Sequence, residues 1–360
     1  SGRTSGVKVN GGHLLITGID KGKGYELTEL SFDLAGPLAR VMTVLDRPPL
    51  RFARYLDLPP STLGGTISGT LTAKFPPVAD LALDDIEIGA SGSSRRTVIP
   101  QAAFGQDLTD GQFKFKVDKT ALSLNGRGAM AGAAVKLQAD LKFTPSARYR
   151  SRFRLQATLG DKARAAMGLE TFPFSKEIVS GPVSVDMTAT ETRRRGTVIK
   201  VAADLTKARM ALPLLGWQSP PGEYAAGDAQ VRVVDGQLRR VDSFRLTGSR
   251  LSLAGKADWS GSQDRRPIVR ISELRHGAGT DLTAVATPVA GGGYQMSIAG
   301  QRLDGRSLIK NMTSTDQGEA KAKAKSKRDA LEVDLQIAAV QMGNGPPLQT
   351  LRGRVSVAGD

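Results

Sequence analysis

The stretch DGQFKFKVDKTALSLNGRGAMAGAAVKLQADLKF (110–143) decides the fold. Phe113, Phe115 and Val117 alternate with Lys114, Lys116 and Asp118, the two-residue period of a strand with one wet face. Leu122 and Leu124 repeat the alternation. Val135, Leu137, Ala139, Leu141 and Phe143 then extend it to the end of the stretch. The Asp-Gly pair at 110–111 and the glycine-bearing spacers between runs read as hairpin signals. A β-meander is expected.

The same grammar covers most of the chain. It appears in GGTISGTLTAKF (64–75), ALDDIEIGASG (82–92), GPVSVDMTAT (181–190) and TVIKVAADL (197–205). It returns in AQVRVVDGQLRRVDSFRLTG (229–248), GGYQMSIAG (292–300) and LEVDLQIAAVQMG (331–343). Runs and spacers together predict roughly 20 strands joined by the short connections of antiparallel sheets. LSLNGRGAM (122–130) aligns with LSLAGKADW (251–259), each following a DGQ (110–112 and 235–237), which points to an internal repeat.

Helical signals are few. GPLARVMTVLDRPPLRFARYLDLPP (36–60) holds two short amphipathic stretches broken by Pro48 and Pro49. DKARAAMGLE (161–170) reads as one more short helix. QGEAKAKAKSKRD (317–329) is a basic, low-complexity loop.

Composition agrees with many short strands and aliphatic packing: 41 glycines in 360 residues, above the usual ~7%, and only 5% aromatics. The net charge of +15 favours acidic partners or anionic surfaces through its long-range field. It equally serves to keep a greasy sheet protein in solution. With no cysteine, disulfides and thiolate metal sites are excluded, and the cytosol and the periplasm fit equally well. No apolar run is long enough for a membrane-spanning helix. The chain opens and closes in strand-like sequence without a signal-peptide pattern, as expected of an excerpt from a longer protein.

Residue types that carry chemistry are scarce. The two histidines, His13 and His276, have no ligand-like spacing, and Arg275 is an unfavourable neighbour for a cation. SGSS (91–94) and AGGGY (290–294) read as turns. Asp84 and Asp85 alternate sides on a strand and are not a general acid/base pair by spacing. No catalytic residue, metal ligand or cofactor is expected, and the chain does not read as an enzyme. Nucleic acid is not the expected partner either, because aromatics are sparse and the densest basic cluster, Arg193 to Arg195, suits a hairpin turn.

Roughly 20 one-faced strands must bury that face against something, and the helical stretches are too few to cover it. A sealed sandwich is one solution. The other is a sheet curled into a trough, whose exposed apolar floor would suit acyl chains. The predicted fold is all-β: a long, twisted, mostly antiparallel sheet curled into an apolar groove, a repeating β-groove with a few short helices.

GTLTAKFPPVADLALDDIEIGASG (69–92), the 110–143 stretch and VAADLTKARMALPLLGWQSPPGE (201–223) resemble the AsmA-like envelope proteins, the YhdP and TamB types in particular. IAGQRLDGRSLIKN (298–311) and LEVDLQIAAVQMGNGPPLQTLRGRVSVAG (331–359) look like later repeats of the same family. Gln218 and Ser219 stand where that pattern would place a lysine after Trp217. The resemblance implies a bridge-like lipid transfer protein of the Gram-negative periplasm, anchored to the inner membrane by a segment outside this chain. It would carry phospholipid between inner and outer membranes and meet envelope proteins at its ends. The implied organisation is strands and a helical segment in 1–63, groove repeats in 64–160 and 161–290, and a further repeat from 291 to 360. The candidate lipid-binding residues are Phe113, Phe115, Val117, Leu122, Leu124, Val135, Leu137, Leu141 and Phe143, with Phe244, Leu246, Leu251 and Leu253. Strand pairing at an exposed edge, as an outer-membrane assembly scaffold, is the alternative function, and a sealed structural module the third.

Overall fold

The computed structural model describes residues 2–4, 6–21, 26–45, 59–78, 81, 85–169, 175–193, 196–260, 266–289, 293–307 and 331–357. Among them the protein is all-β, with mostly antiparallel strands, a few short helices and no closed barrel. No helix is long and apolar enough to cross a membrane among these residues. The second amphipathic stretch of 36–60, residues 290–292 of AGGGY and the basic loop 317–329 lie outside them.

Two compact units divide the chain. The first, residues 1–169 with 188–194, is an antiparallel meander. Its strands are β1 (Gly2–Thr4), β2 (Val7–Thr17), β3 (Leu27–Pro37), β4 (Gly64–Phe75) and β5 (Glu87–Ala103). They continue as β6 (Gln106–Asp118), β7 (Ala121–Met130), β8 (Ala133–Lys142) and β9 (Ser151–Leu159). Each pairs with the next through β8–β9, and β3 and β4 do so although helix α1 (Leu38–Leu45) lies between them in the chain. A second short helix, α2 (Asp161–Ala166), follows β9. The expectation of meander connections holds because each strand buries alternate residues, so a neighbour in sequence can pair without crossing the sheet.

The second unit comprises residues 170–187 and 195–360. It holds β10 (Val179–Ser180), the first half of β11 (Val183–Thr192), β12 (Gly196–Asp204), β13 (Arg209–Leu212) and β14 (Trp217–Ser219). The run β15 (Ala225–Val234), β16 (Gln237–Gly248), β17 (Leu251–Asp258), β18 (Ile268–His276), β19 (Thr280–Pro288) and β20 (Tyr294–Asp304) is antiparallel throughout. β21 (Leu331–Gln341) pairs parallel to β20, and β22 (Leu348–Val357) returns antiparallel. β10, β13 and β14 form a separate small sheet.

Two turn expectations fail. Asp110-Gly111 is no hairpin: Asp110 (φ 51°) is part of a bulge inside β6, between Thr109 and Gln112. The turn sits earlier, at Phe104 (φ 52°) and Gly105 (φ 66°). A bulge and a two-residue turn both need a left-handed residue that Asp tolerates, so the dipeptide alone does not separate them. The other Asp-Gly, 235–236, is a true turn between β15 and β16. SGSS (91–94) likewise lies inside β5, where Gly92 faces Gly69 across the ladder. An added Cβ at Gly92 would stand 2.2 Å from the Ser68 carbonyl oxygen, so glycine there permits close strand approach rather than a turn.

The repeated LSL motif is a structural repeat at one position. Gly126 of the first copy lies opposite Phe113, and Gly255 of the second lies opposite Phe244. A Cβ at Gly126 would meet Phe113 Cδ1 at 2.5 Å and the Gln112 carbonyl oxygen at 2.1 Å. At Gly255 it would meet Phe244 Cζ at 2.7 Å and the Arg270 carbonyl oxygen at 2.4 Å. In both copies a ring lies over the bare backbone, where glycine lets the sheet bend and the aromatic covers it. The DGQ elements are not equivalent, one being a bulge and the other a turn.

Candidate functional site

Cross-strand partners share a face, so the ladders of the first unit spell out its inner surface. One file runs Leu71, Ala90, Val117, Leu122, Leu141. The next runs Gly69, Gly92, Phe115, Leu124, Ala139, Phe153, and the third Ile67, Ser94, Phe113, Gly126, Leu137, Leu155. Large residues stand opposite glycine or serine: Phe115 beside Gly92, Phe113 between Ser94 and Gly126. This pairing of bulk with absence curls the sheet around its apolar side.

The curl encloses a cavity of about 220 Å³. Phe113, Phe115, Val117, Leu122, Leu124 and Phe143, all expected from the sequence, line it. β3 to β5 add Leu34, Ile67, Leu71, Ile88 and Ile99. The roof is α1, through Leu38, Val41 and Met42, with Leu63 beyond it. Leu38 and Val41 are buried, at 8% and 4% exposure. Their spacing, with Met42 and Leu45, is the i, i+3, i+4, i+7 stripe of an amphipathic helix, a signal in the sequence whose target was not legible.

Among the described residues no charged side chain lines the cavity. Two of its polar side chains serve one another, Thr97 Oγ1 donating to Ser94 Oγ at 2.7 Å, and Thr70 Oγ1 donates to Asp33 Oδ1 at 2.7 Å. The space is below the ~300–1,000 Å³ of a drug-sized pocket, so it suits a slender apolar occupant. Val135, Leu137 and Leu141 share the face without lining the cavity; Val135 is ordinary core at 2% exposure.

The candidates of the second unit have a different setting. Phe244, Leu246, Leu251 and Leu253 share one face of β16 and β17. Leu251, 3% exposed, belongs to a closed cluster with Val179, Met210 and Trp217, and Leu246 packs against it. The small sheet supplies Val179, Met210 and Trp217, so it covers this part of the face. Trp217 is pinned there, its Nε1 donating to the Ser249 carbonyl at 2.9 Å, its ring against Gly248. The LGW segment that carries the most specific part of the resemblance therefore builds a cover. A second core, Leu282, Ile337 and Val340, lies further along the unit.

Among the described residues no group of three or more His, Cys, Asp or Glu could hold a metal ion. Two partly buried carboxylates are held by hydrogen bonds. Asp242 accepts from Gln230, Arg232 and Arg240, and these contacts hold its carboxyl below the usual range against the opposing effect of burial. Asp140 is likewise lowered, burial being outweighed by hydrogen bonds from Tyr149 and Lys142. No protein-family model, curated protein or solved structure matches the chain.

Proposed function

We propose that the groove of the first unit holds phospholipid acyl chains and that the chain is a periplasmic segment of a bridge-like lipid transport protein working between inner and outer membranes. The observation that carries this reading is the uncharged cavity under α1, whose walls are aliphatic and aromatic side chains from β3 to β7. A methylene chain needs apolar walls and no directed polar partner, and this lining offers that. Burial of each methylene contributes about 0.8 kcal/mol, so even part of a chain would be held. The AsmA-like resemblance of 110–143 supplies the envelope setting.

The second unit favours a different role for its own face. The closed cluster around Trp217 and Leu251 is what a sealed structural module has.

Native mass spectrometry of the protein purified without delipidation tests the proposal. Phospholipid adducts on the wild type, reduced in Leu124→Asp, are the expected result. Adduct-free wild type that also fails to take up phospholipid from mixed micelles would end the acyl-chain reading.

A further inference from the structure

The strands that build the cavity have a second face. Outward residues of β5 to β9 line a shallow concavity of about 570 Å³, which includes Arg95, Lys114, Arg127, Lys136 and Arg154. Among the described residues no Asp or Glu lines it. Between the cations stand amides: one file runs Lys114, Asn125, Gln138, Arg154, and the next Gln112, Arg127, Lys136, Gln156.

Solubility alone does not account for this pattern. Wet faces elsewhere mix signs: Lys74 pairs with Glu29 at 3.0 Å, Arg232 with Asp242 at 3.0 Å and Arg354 with Asp334 at 2.7 Å. The like-charged cross-strand pairs Arg232–Arg240 and Lys256–Arg270 have Asp242 and Asp258 beside them. Arg127 and Lys136, by contrast, are direct cross-strand partners on a lining without a described carboxylate. Like charges set opposite one another on adjacent strands repel and weaken the ladder. Arg127 turns to a neutral group, Nη2 donating to Gln112 Oε1 at 3.2 Å. An anion placed between them would relieve that repulsion.

We propose that this outer face is a binding site for phosphate-dense anions. The volume falls within the ~300–1,000 Å³ of ligand pockets, and a rigid sheet holds the donors at fixed spacing. Guanidinium groups match phosphate oxygens two at a time, lysines add point charge, and amides donate to remaining oxygens. Nucleic-acid strands are the less favoured class, because no exposed ring is available for base stacking: Phe113, the one bordering aromatic, is 2% exposed and turned to the inner face. The site is independent of the acyl-chain reading, since its charged and amide side chains lie on the opposite face, with Ser94 and Phe113 alone bordering both spaces.

The test compares wild type with the triple variant Lys114→Gln, Arg127→Gln, Lys136→Gln. A control, Lys162→Gln, Lys200→Gln, Lys256→Gln, removes the same charge from exposed positions elsewhere. Probes are sodium tripolyphosphate by calorimetry, and sedimentation with phosphatidylcholine vesicles with or without phosphatidic acid. Wild type and control should bind at least one probe, and the triple variant should bind it about tenfold or more weakly, as expected for lost charge-assisted hydrogen bonds. Patch-dependent binding of tripolyphosphate alone assigns a free anion; binding of the acidic vesicles alone assigns a lipid headgroup. Binding of neither probe, or equal loss in the control, overturns the proposal. Urea unfolding gives a separate readout: Arg127→Gln should unfold at a higher midpoint than wild type without ligand, and where tripolyphosphate binds it should raise the midpoints of wild type and control more than that of the triple variant.

Discussion

Gly126 shows how much of this fold turns on a missing Cβ. The ring of Phe113 and the Gln112 carbonyl oxygen occupy the space a side chain would need. Gly126→Val should therefore separate β6 from β7 and destabilise by about 1–3 kcal/mol or more. Gly12→Ala, with nothing within 4 Å of the added carbon, should stay within about 0.5 kcal/mol of wild type. Urea midpoints of the two variants check the contrast, and equal midpoints would remove the bend from the account. Glycine was visible in the sequence at both positions. Its role was not, because a glycine in a turn, a bulge or under a ring is written with the same letter. SGSS at 91–94 reads as a turn in the sequence for that reason, yet lies within β5.

Among the elements, the covers matter most. α1 lies over the cavity of the first unit, and the small sheet of β10, β13 and β14 lies over Leu246 and Leu251 in the second. Substitution on the inner face of each unit should separate an occupied groove from a sealed core. Leu251→Asp buries an unpaired carboxylate where the leucine is 3% exposed, and should cost several kcal/mol and unfold the second unit. Leu124→Asp, on a half-buried floor, should retain the strand signal in circular dichroism while acyl-chain occupancy falls. Unfolding of both variants to the same extent would make Leu124 ordinary core. The amphipathic period of 38–45 was legible as a helix, yet its landing place on β3 and β4 depended on contacts far away in sequence.

Across the whole molecule, carboxylates held by hydrogen bonds set the response to acid. Asp118 and Asp140 in the first unit, and Asp242, Asp258 and Asp304 in the second, all have pKa values lowered from 3.8. For Asp118 the main cause is the Thr120 hydroxyl, and for Asp304 the Arg306 guanidinium. A carboxyl with a depressed folded-state pKa contributes stability that is complete above its unfolded value. That contribution is lost as pH falls through the folded value. The melting temperature should thus be flat from neutral pH down to about 5 and drop steeply below about 4. Asp242→Asn should lose about 1–3 kcal/mol at pH 7, yet show a shallower acid loss than wild type. A wild-type melting curve without that acid drop would contradict the assignment.

The alternation of 110–143 and its counterparts determined the all-β class, the approximate number of strands and the inward set Phe113 to Leu124. Strand period is a local consequence of backbone geometry, so a short window contains it. Only the tertiary structure decided which faces are covered and by what. It made one Asp-Gly a bulge and the other a turn, and it put Trp217 over the second unit's leucines while leaving a cavity beneath α1. It also brought Arg127 and Lys136 face to face. Those outcomes depend on which strand lies beside which and in what register, and pairing partners at a distance in the chain leave no mark in a local pattern.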